Sequence, residues 1–366
     1  MSVILFFIVL VVLVIVHEFG HFLVAKLSGM KVEEFGFGFP PKLFSVRKGE
    51  TEYSFNALPF GGFVRILGEN PLEVTERCLA GTLTDQDAKR SFSAQSAFKQ
   101  GMVVIAGVVF NFLLAWVLFS AGFMIGMPVA APKDDSVTNT ALLITSVVKD
   151  SPAAKAGFQL GDKIVGLSNG AVAELTEESV PNFIAAHLNE EVQISVERGG
   201  EQKNISVIPE EGVVVGRAGI GISLAYVGIE KLPFFKSIWA GLKHTALLSR
   251  ETALSLFNLV RDAFLGQARL DSLTGPVGLV GIVGSAYHLG IVHLIALTAL
   301  ISINLAIINL VPFPALDGGR LVVIILEKLK GSALSPKIVN TINTLGFVLL
   351  IFLLILVTYH DILRLL

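Results

Sequence analysis

A long uncharged run at the start of the chain constrains its fold more than any other feature. Residues 3–16 are all apolar and lead directly into His17-Glu18-Phe19-Gly20-His21, after which apolar residues continue to position 25. A helix needs about 20 such residues to cross a bilayer, where its backbone groups must be hydrogen-bonded within the segment. The sequence therefore predicts a membrane-spanning helix over residues 3–25 that carries ionisable side chains inside it. Because the run lacks a basic start and a small-residue cleavage site, we expect a retained helix and not a cleaved signal.

Composition extends this expectation to the whole chain. Of the 366 residues, 53% are hydrophobic and 16% are charged, and the mean hydropathy is +0.71. Three further segments without Asp, Glu, Lys or Arg can span a bilayer, at residues 102–129, 291–316 and 338–358. The expected fold class is an α-helical multi-pass membrane protein with about four transmembrane helices, a membrane-associated β-hairpin and one inserted α+β domain.

The charge balance and the cysteine content narrow the function. A net charge of −2 gives no basis for nucleic-acid binding. The single cysteine, Cys78, excludes an internal disulfide and a cysteine-built zinc site. The lipid bilayer is the first partner that the sequence predicts.

The predicted organisation has four parts. They are an N-terminal membrane core at 1–129, a soluble domain at 130–230, an amphipathic membrane-surface region at 231–290 and a C-terminal membrane core at 291–366. For the amphipathic region, packing against the other helices is an equally good interpretation.

The basic residues near the ends of the predicted spans indicate an orientation. They cluster between the first two spans and between the last two, at Lys26, Lys31, Lys42, Arg47, Lys48, Lys89, Arg90, Lys99, Arg320, Lys328, Lys330 and Lys337. Cytoplasmic loops carry such an excess. The sequence predicts that both termini and the 130–290 region are extracytoplasmic, and that residues 17–21 lie in the membrane towards the cytoplasmic side.

The histidine pair in the first span indicates a metal site. His17 and His21 stand at i and i+4 and share one helix face, and Glu18 lies beside that face, where it can accept a proton from a metal-activated water. Two histidines packed in an ordinary anchor helix are the alternative, but three ionisable side chains at membrane depth are costly without a stabilising partner.

A third ligand is needed, and Asp317 is the candidate. It follows Pro312 and Pro314 and precedes Gly318-Gly319, so a broken helix end can aim it inward. Its alternative role is helix-end capping.

Two asparagines in the predicted spans are candidates for substrate or oxyanion binding, with helix packing as the alternative. They are Asn309 and, with a weaker signal, Asn111.

The segment after the first span predicts a β-hairpin. Residues 52–57 alternate polar and apolar, residues 58–62 form a turn, and residues 63–67 form a second strand. Tyr53 and Phe55 are its candidate substrate-binding residues, because an aromatic hairpin beside a membrane metal site can pair with an extended peptide. A surface hairpin that touches lipid headgroups is an equal alternative.

The soluble region resembles a PDZ domain. Its strands are predicted at 142–148, 163–167, 192–197 and 204–208, with a helix at 178–188, and the run Ser151-Pro152-Ala153-Ala154 through Gly161-Asp162 carries the resemblance. The family binds peptide ends at a glycine-containing apolar loop. Gly219-Ile220-Gly221-Ile222 could supply that loop in a circularly permuted arrangement, or could simply be a terminal strand.

Together these motifs resemble the site-2 protease family, in its bacterial, PDZ-containing, RseP-like branch. The resemblance covers nearly the whole chain and rests on HEFGH, on the late Leu316-Asp317-Gly318, and on supporting stretches at 36–38, 59–64, 106–107, 111–112 and 274–277. Two departures stand out. Such proteins often carry two PDZ domains and this chain has room for one, and the second-span motif lacks its proline at Val108.

The resemblance implies one zinc ion on His17, His21 and Asp317, with Glu18 as the catalytic base and acid. It implies an intramembrane endopeptidase of the bacterial inner membrane that cuts single-span membrane proteins, such as anti-sigma factors already trimmed outside the membrane, or remnant signal peptides. The alternatives are a membrane zincin acting on exposed chains, and a PDZ membrane adaptor without catalysis.

Overall fold

The computed structural model describes residues 1–130, 138–167, 175–214, 217–266 and 274–365. Within them the chain forms two compact units: a membrane unit of Met1–Gly122 with Phe234–Leu366, and an inserted unit of Phe123–Pro233.

The membrane unit is helical apart from one β-sheet. Its helices are α1 Ser2–Leu27, α2 Pro71–Leu79, α3 Asp85–Lys89, α4 Ala97–Ile125, α7 Phe234–Phe264, α8 Pro276–Leu289, α9 Ile291–Leu310, α10 Asp317–Lys330 and α11 Pro336–Leu365. Among the described residues, α1, α4, α9 and α11 contain the four segments long and apolar enough to cross a membrane. This confirms a multi-pass membrane protein.

Two of the spans end earlier than the sequence predicts. Helix α9 ends at Leu310 and not at 316, because Val311 turns to an extended conformation ahead of Pro312 and Pro314, which lack the N–H that a helix needs. Helix α4 ends at Ile125 and not at 129, because Gly126 has φ +126° and the chain continues as a strand.

The β-sheet of the membrane unit is larger than the predicted hairpin. It consists of β1 Val32–Lys48 and β2 Thr51–Ile66, paired antiparallel. The predicted pairing is wrong, because the segments at 52–57 and 63–67 do not pair with each other. Both flank the first half of β1, since Phe35 lies opposite Tyr53 on one side and opposite Val64 on the other. Residues 62–66 therefore form an outer edge of this folded sheet.

Helix α7 packs against two of the spans. The Trp116 Nε1–H of α4 donates to the carbonyl of Ile238 at 2.9 Å, and the Thr252 hydroxyl is 3.3 Å from the Asn304 amide oxygen of α9. Other apolar side chains of α7 remain exposed, including Phe235 and Trp239. One face of this amphipathic helix therefore packs against other helices, and another face leaves apolar side chains exposed.

The inserted unit is built on a six-stranded sheet in the order β3-β10-β4-β5-β6-β7, with a separate β8-β9 pair. Its strands are β3 Met127–Ala130, β4 Thr138–Val147, β5 Lys163–Leu167, β6 Val192–Arg198, β7 Glu201–Val207, β8 Glu210–Val214, β9 Arg217–Gly219 and β10 Ile222–Glu230, and its helices are α5 Pro152–Ala156 and α6 Ser179–Ala186. Alternate residues of the strands, such as Val192, Ile194 and Val196, point into one apolar core.

Candidate metal centre

Helix α1 and the start of α10 bring three metal-binding side chains together. The Nε2 atoms of His17 and His21 are 3.2 Å apart, and they lie 3.1 Å and 3.4 Å from Asp317 Oδ2. The two histidines meet because they stand one helical turn apart. His17 is buried at 7% exposure, and His21 and Asp317 are partly buried.

A tight turn positions Asp317. Ala315 has φ +70°, and α10 begins at Asp317 itself. The two glycines that follow are required by space, because a Cβ at Gly318 would collide with the Val311 carbonyl and a Cβ at Gly319 with the Phe313 carbonyl. The proline-rich segment and the two glycines together aim the carboxylate at the histidines.

The three ligand atoms fit a zinc ion. Bonds of about 2.0–2.1 Å in a tetrahedral site place neighbouring ligand atoms about 3.3–3.4 Å apart, close to the separations found here. Asp317 Oδ2 is buried and no N–H or O–H group in the described residues donates to it, an arrangement that is costly unless a cation completes it. His17, His21 and Asp317 would hold the ion, with a fourth position open to water or substrate.

Helix α4 supplies the surroundings of both rings. The His21 Nδ1–H donates to the Val103 carbonyl at 2.8 Å, which leaves the Nε2 lone pair for metal. Gly107, one turn further along, clears the space for the cluster, since a Cβ there would overlap His21 Nε2 and lie 2.7 Å from His17 Cε1. Sequence reasoning missed this role for Gly107, although the Gly107–Asn111 motif marked the segment.

A cavity of about 180 Å³ opens beside the ligand atoms. Its walls include Glu18, the sheet edge at 62–64, and Arg320. Gly62 lies so close to Glu18 that an added Cβ would be 3.2 Å from the Glu18 Cγ. The predicted base therefore faces the same space as the three ligand atoms.

A second and larger cavity, of about 500 Å³, shares Glu69, Asp317 and Arg320 with the first. Arg320 and Glu69 form an ion pair at 3.1 Å, and the Arg320 guanidinium lies 4.2 Å from the centre of the Phe92 ring. This pair stands between the metal cavity and the larger, partly polar one.

The other predicted site residues divide into two groups. Asn309 Nδ2 lies 3.5 Å from His17 Nε2 and Asn111 Nδ2 lies 3.1 Å from His17 Nδ1, so both asparagines reach the cluster. Tyr53 and Phe55 do not line the metal cavity. Tyr53 contacts the Phe22 ring and Phe55 stacks on Phe44.

The predicted PDZ loop, Gly219 to Ile222, belongs to the inserted unit. It forms the turn between β9 and β10, with Gly221 at φ +85°. The Ile220 carbonyl accepts from the Ala153 N–H at 2.8 Å.

Four helices long and apolar enough to cross a membrane, together with a His-His-Asp cluster that could hold a metal ion, define a membrane-embedded protein with a candidate metal centre. The chain matches the family model described as Peptidase family M50 over residues 5–353. It belongs to peptidase family M50, the site-2 proteases, and is a zinc metalloprotease of that type.

Curated relatives agree with this assignment. The chain is 32% identical over 428 aligned residues to the zinc metalloprotease RasP of Geobacillus kaustophilus, covering 99% of this chain and 97% of that protein. It is 30% identical to RasP of Oceanobacillus iheyensis and 28% identical to RasP of Bacillus licheniformis, covering in each case 100% of this chain and 99% of the relative. The names of these relatives support Zn²⁺ as the cofactor.

Proposed function

We propose that this protease hydrolyses peptide bonds within the transmembrane segments of single-span membrane proteins, of the anti-sigma-factor or remnant-signal-peptide kind. The observation that carries the proposal is the position of His17 and Glu18, which follow fourteen uninterrupted apolar residues of α1. A metal centre within a membrane helix meets substrates that are themselves in the bilayer. Cleavage there is the final, intramembrane step of regulated proteolysis.

The exposed edge of the membrane-unit sheet supports a way of holding the substrate. A transmembrane helix hides its peptide bonds, so a part of it must unwind before cleavage. Residues 62–66 pair with β1 on one side only, among the described residues, and residues 62–64 line the metal cavity. An unwound substrate segment can add to this edge as a further strand and reach the ligand atoms. The inner position of Tyr53 makes 62–66 a better candidate for this role than 52–57.

Zinc, Glu18 and Asn309 have different roles in the proposed reaction. Zinc, when bound, activates water and polarises the scissile carbonyl. Glu18 accepts the proton that the attacking water loses and passes it to the leaving amine nitrogen. Asn309, whose amide nitrogen is within 3.5 Å of His17 Nε2, is placed to donate to the oxygen that becomes negative.

The orientation predicted from the basic loops is part of this proposal. The Lys/Arg-rich segments near 26–48 and 320–337 then face the cytoplasm, and the termini and the inserted unit lie on the other side. The Glu69–Arg320 pair and the cavity of about 500 Å³ lie next to the metal cavity on the side of α10. We propose that water enters by this polar route.

We propose that the inserted unit is a permuted PDZ domain. Strand β3 pairs with only the second half of β10, from Val227 to Glu230. The first half, beginning at Ile222, therefore has an edge with no strand on it among the described residues. That edge and the turn at Gly219–Ile222 are where a PDZ domain receives a peptide end.

Replacing Glu18 by glutamine tests the proposed reaction. Cleavage of a model single-span substrate in proteoliposomes should fall by a factor of about 10² to 10⁴ or more, because the proton acceptor is lost. Zinc content should stay at the wild-type value, because Glu18 is not a ligand. Glu76→Gln, at an exposed position of α2, is the control and should cleave normally. Undiminished cleavage by Glu18→Gln would remove Glu18 from the mechanism.

Asp317→Asn tests the third ligand. An amide is a poorer zinc ligand than a carboxylate and adds no negative charge, so we expect zinc to bind at least about tenfold more weakly, which corresponds to about 1.4 kcal/mol. Competition with a chelator of known affinity measures the change. An unaltered zinc affinity would mean that another group completes the site.

A further inference from the structure

Asn111 makes the closest side-chain contact to the far side of the His17 ring. It lies on α4, is completely buried, and its Nδ2 atom is 3.1 Å from His17 Nδ1. Its Oδ1 atom is also buried and has no partner among the described residues. The contact between Asn111 and His17 therefore depends on which amide atom faces the ring.

The tautomer of His17 determines which atom of the Asn111 amide faces the ring. Nε2 is the atom of His17 that faces His21 and Asp317, so Nε2 must be unprotonated in order to bind metal. The ring proton of a neutral imidazole then sits on Nδ1, which becomes a donor and requires an acceptor. The nitrogen and oxygen of an amide occupy nearly the same positions and are assigned from the hydrogen-bond network. Turning the Asn111 amide over places Oδ1 opposite this donor.

We infer that Asn111 is a positioning residue for the metal centre, whose side-chain oxygen accepts the Nδ1–H of His17 and fixes the ring with Nε2 towards the ion. The inference rests on the metal ligands proposed above. It differs from the oxyanion role that the sequence suggested for Asn111, in which the amide would donate to substrate.

Helix α4 places a hydrogen-bonding group next to the Nδ1 atom of each histidine. The Val103 carbonyl accepts from His21 Nδ1, Gly107 clears the space between the rings, and Asn111 faces His17. Each of these three positions follows the previous one by four residues, so all three lie on one face of α4. The Ser302 hydroxyl of α9 donates to the Asn111 carbonyl at 2.8 Å, which fixes α4 at this level. Acceptors of this kind orient metal-binding histidines and raise their basicity.

Zinc binding to the full-length protein in detergent tests the inference. Asn111→Leu, which has a similar volume and no acceptor, should weaken zinc binding by about 10–100-fold. Asn111→Asp keeps an acceptor at the same place and should stay within about threefold of the wild type, retaining cleavage. The matched control is Asn304→Leu, which removes an amide that contacts Thr252 of α7 and not the cluster, and it should leave zinc affinity unchanged.

Absorption of the cobalt(II)-substituted protein gives a second measurement that does not depend on activity. Its d–d bands report ligand geometry, so they should change in Asn111→Leu and be retained in Asn111→Asp. If Asn111→Leu does not fold, Asn111→Ala removes the acceptor without adding bulk and is measured in the same way.

Three results separate the possible failures. Wild-type zinc affinity and cobalt bands in the variant without an acceptor would overturn the positioning role. Zinc retained but cleavage lost in Asn111→Asp would also overturn it, in favour of donation to substrate. If Asp317→Asn and His21→Ala also bind zinc normally, the ligand assignment itself fails, and this inference fails with it.

Discussion

Gly107 of α4 lies against the His17 and His21 rings. A side chain there has no room, because its first carbon would overlap His21 Nε2 and approach His17 Cε1 to 2.7 Å. The neighbouring Gly101, on the same helix, has only Leu321 Cδ1 at 3.7 Å from such an atom. The two glycines therefore differ in what an alanine would meet, although both lie in the same helix.

We expect Gly107→Ala to weaken zinc binding by at least about tenfold, equivalent to about 1.4 kcal/mol. The added methyl group would push the two histidine rings away, so their Nε2 atoms could no longer both reach the ion. Helix propensity favours alanine over glycine by about 1 kcal/mol, so the metal-free protein should not lose helix stability through α4 itself. Zinc titration of both alanine variants measures the effect. Gly101→Ala should titrate like the wild type, and equal behaviour of the two variants would show that the space at Gly107 does not matter.

The sequence indicated that His17, His21 and Asp317 come together, but not which residues surround them. The spacing of His17 and His21 follows from helical periodicity, and the turn-forming residues around Asp317 indicated a carboxylate aimed inward. The roles of Gly107 and Val103 depend on which residues of α4 face α1, and the apolar composition of both helices carries no signal for that register. The contact of Asn111 with His17, and not with a substrate pocket, could not be predicted for the same reason.

At the scale of elements, β1 shows what an alternation pattern can and cannot predict. The run from Phe35 to Phe39 alternates phenylalanine and glycine and forms part of a strand, with Gly36 and Gly38 buried against the sheet. Period-two alternation identifies strands, yet it does not specify which strands are neighbours. The sequence therefore did not predict that residues 52–57 lie inside the sheet of the membrane unit and residues 62–66 at its edge.

Glu50 connects three segments of the membrane unit. It stands between β1 and β2 and accepts bonds from Arg90 at 2.7 and 2.9 Å and from Lys26, at the end of α1, at 2.6 Å. The Arg90 guanidinium is the main cause that lowers the pKa of Glu50 from 4.5 to about 2. A carboxylate with a lowered pKa stabilises the folded state above its unfolded pKa, and this contribution is lost as the pH falls towards the folded value.

We therefore expect the unfolding temperature in detergent to fall as the pH is lowered from about 5 to 3, with Glu50 accounting for about 1–2 kcal/mol after allowance for solvent screening. Glu50→Gln should unfold at a lower temperature near neutral pH and should show a shallower dependence over this interval. Glu76→Gln serves as the control and should keep the wild-type slope. A pH profile of Glu50→Gln parallel to that of the wild type would contradict the assignment.

At the scale of the whole molecule, the long apolar segments were the most predictable feature. Each of the four predicted spans lies where the structure has an apolar helix. The residues at which two of these helices end were less predictable. A proline two residues beyond Leu310 and a glycine after Ile125 end the helices, although the sequence stays apolar for several more residues. Hydropathy locates a span, and backbone chemistry decides where it stops.

The first and last residues of the inserted unit lie next to each other in space. The Leu232 N–H donates to the Phe123 carbonyl at 2.9 Å, and β3 runs antiparallel beside the end of β10. We expect that residues 128–229 can be replaced by a short Gly/Ser linker without loss of the metal centre, because such a linker only needs to join adjacent strand ends. Zinc affinity should stay within about threefold of the wild type, which is under 1 kcal/mol. A deletion protein that is monodisperse in detergent but binds no zinc would contradict this expectation.

The hydrogen bond between Phe123 and Leu232 also affects how much the length of the segment inserted between α4 and α7 can vary. The contact between Phe123 and Leu232 does not itself require a particular number of residues between them. For a flexible insert, each doubling of length adds only about 0.6 kcal/mol of closure entropy, and a folded insert with adjacent termini adds less. One inserted domain, or two in tandem, can therefore be accommodated at this junction while the helices that hold the histidines and the aspartate keep their spacing.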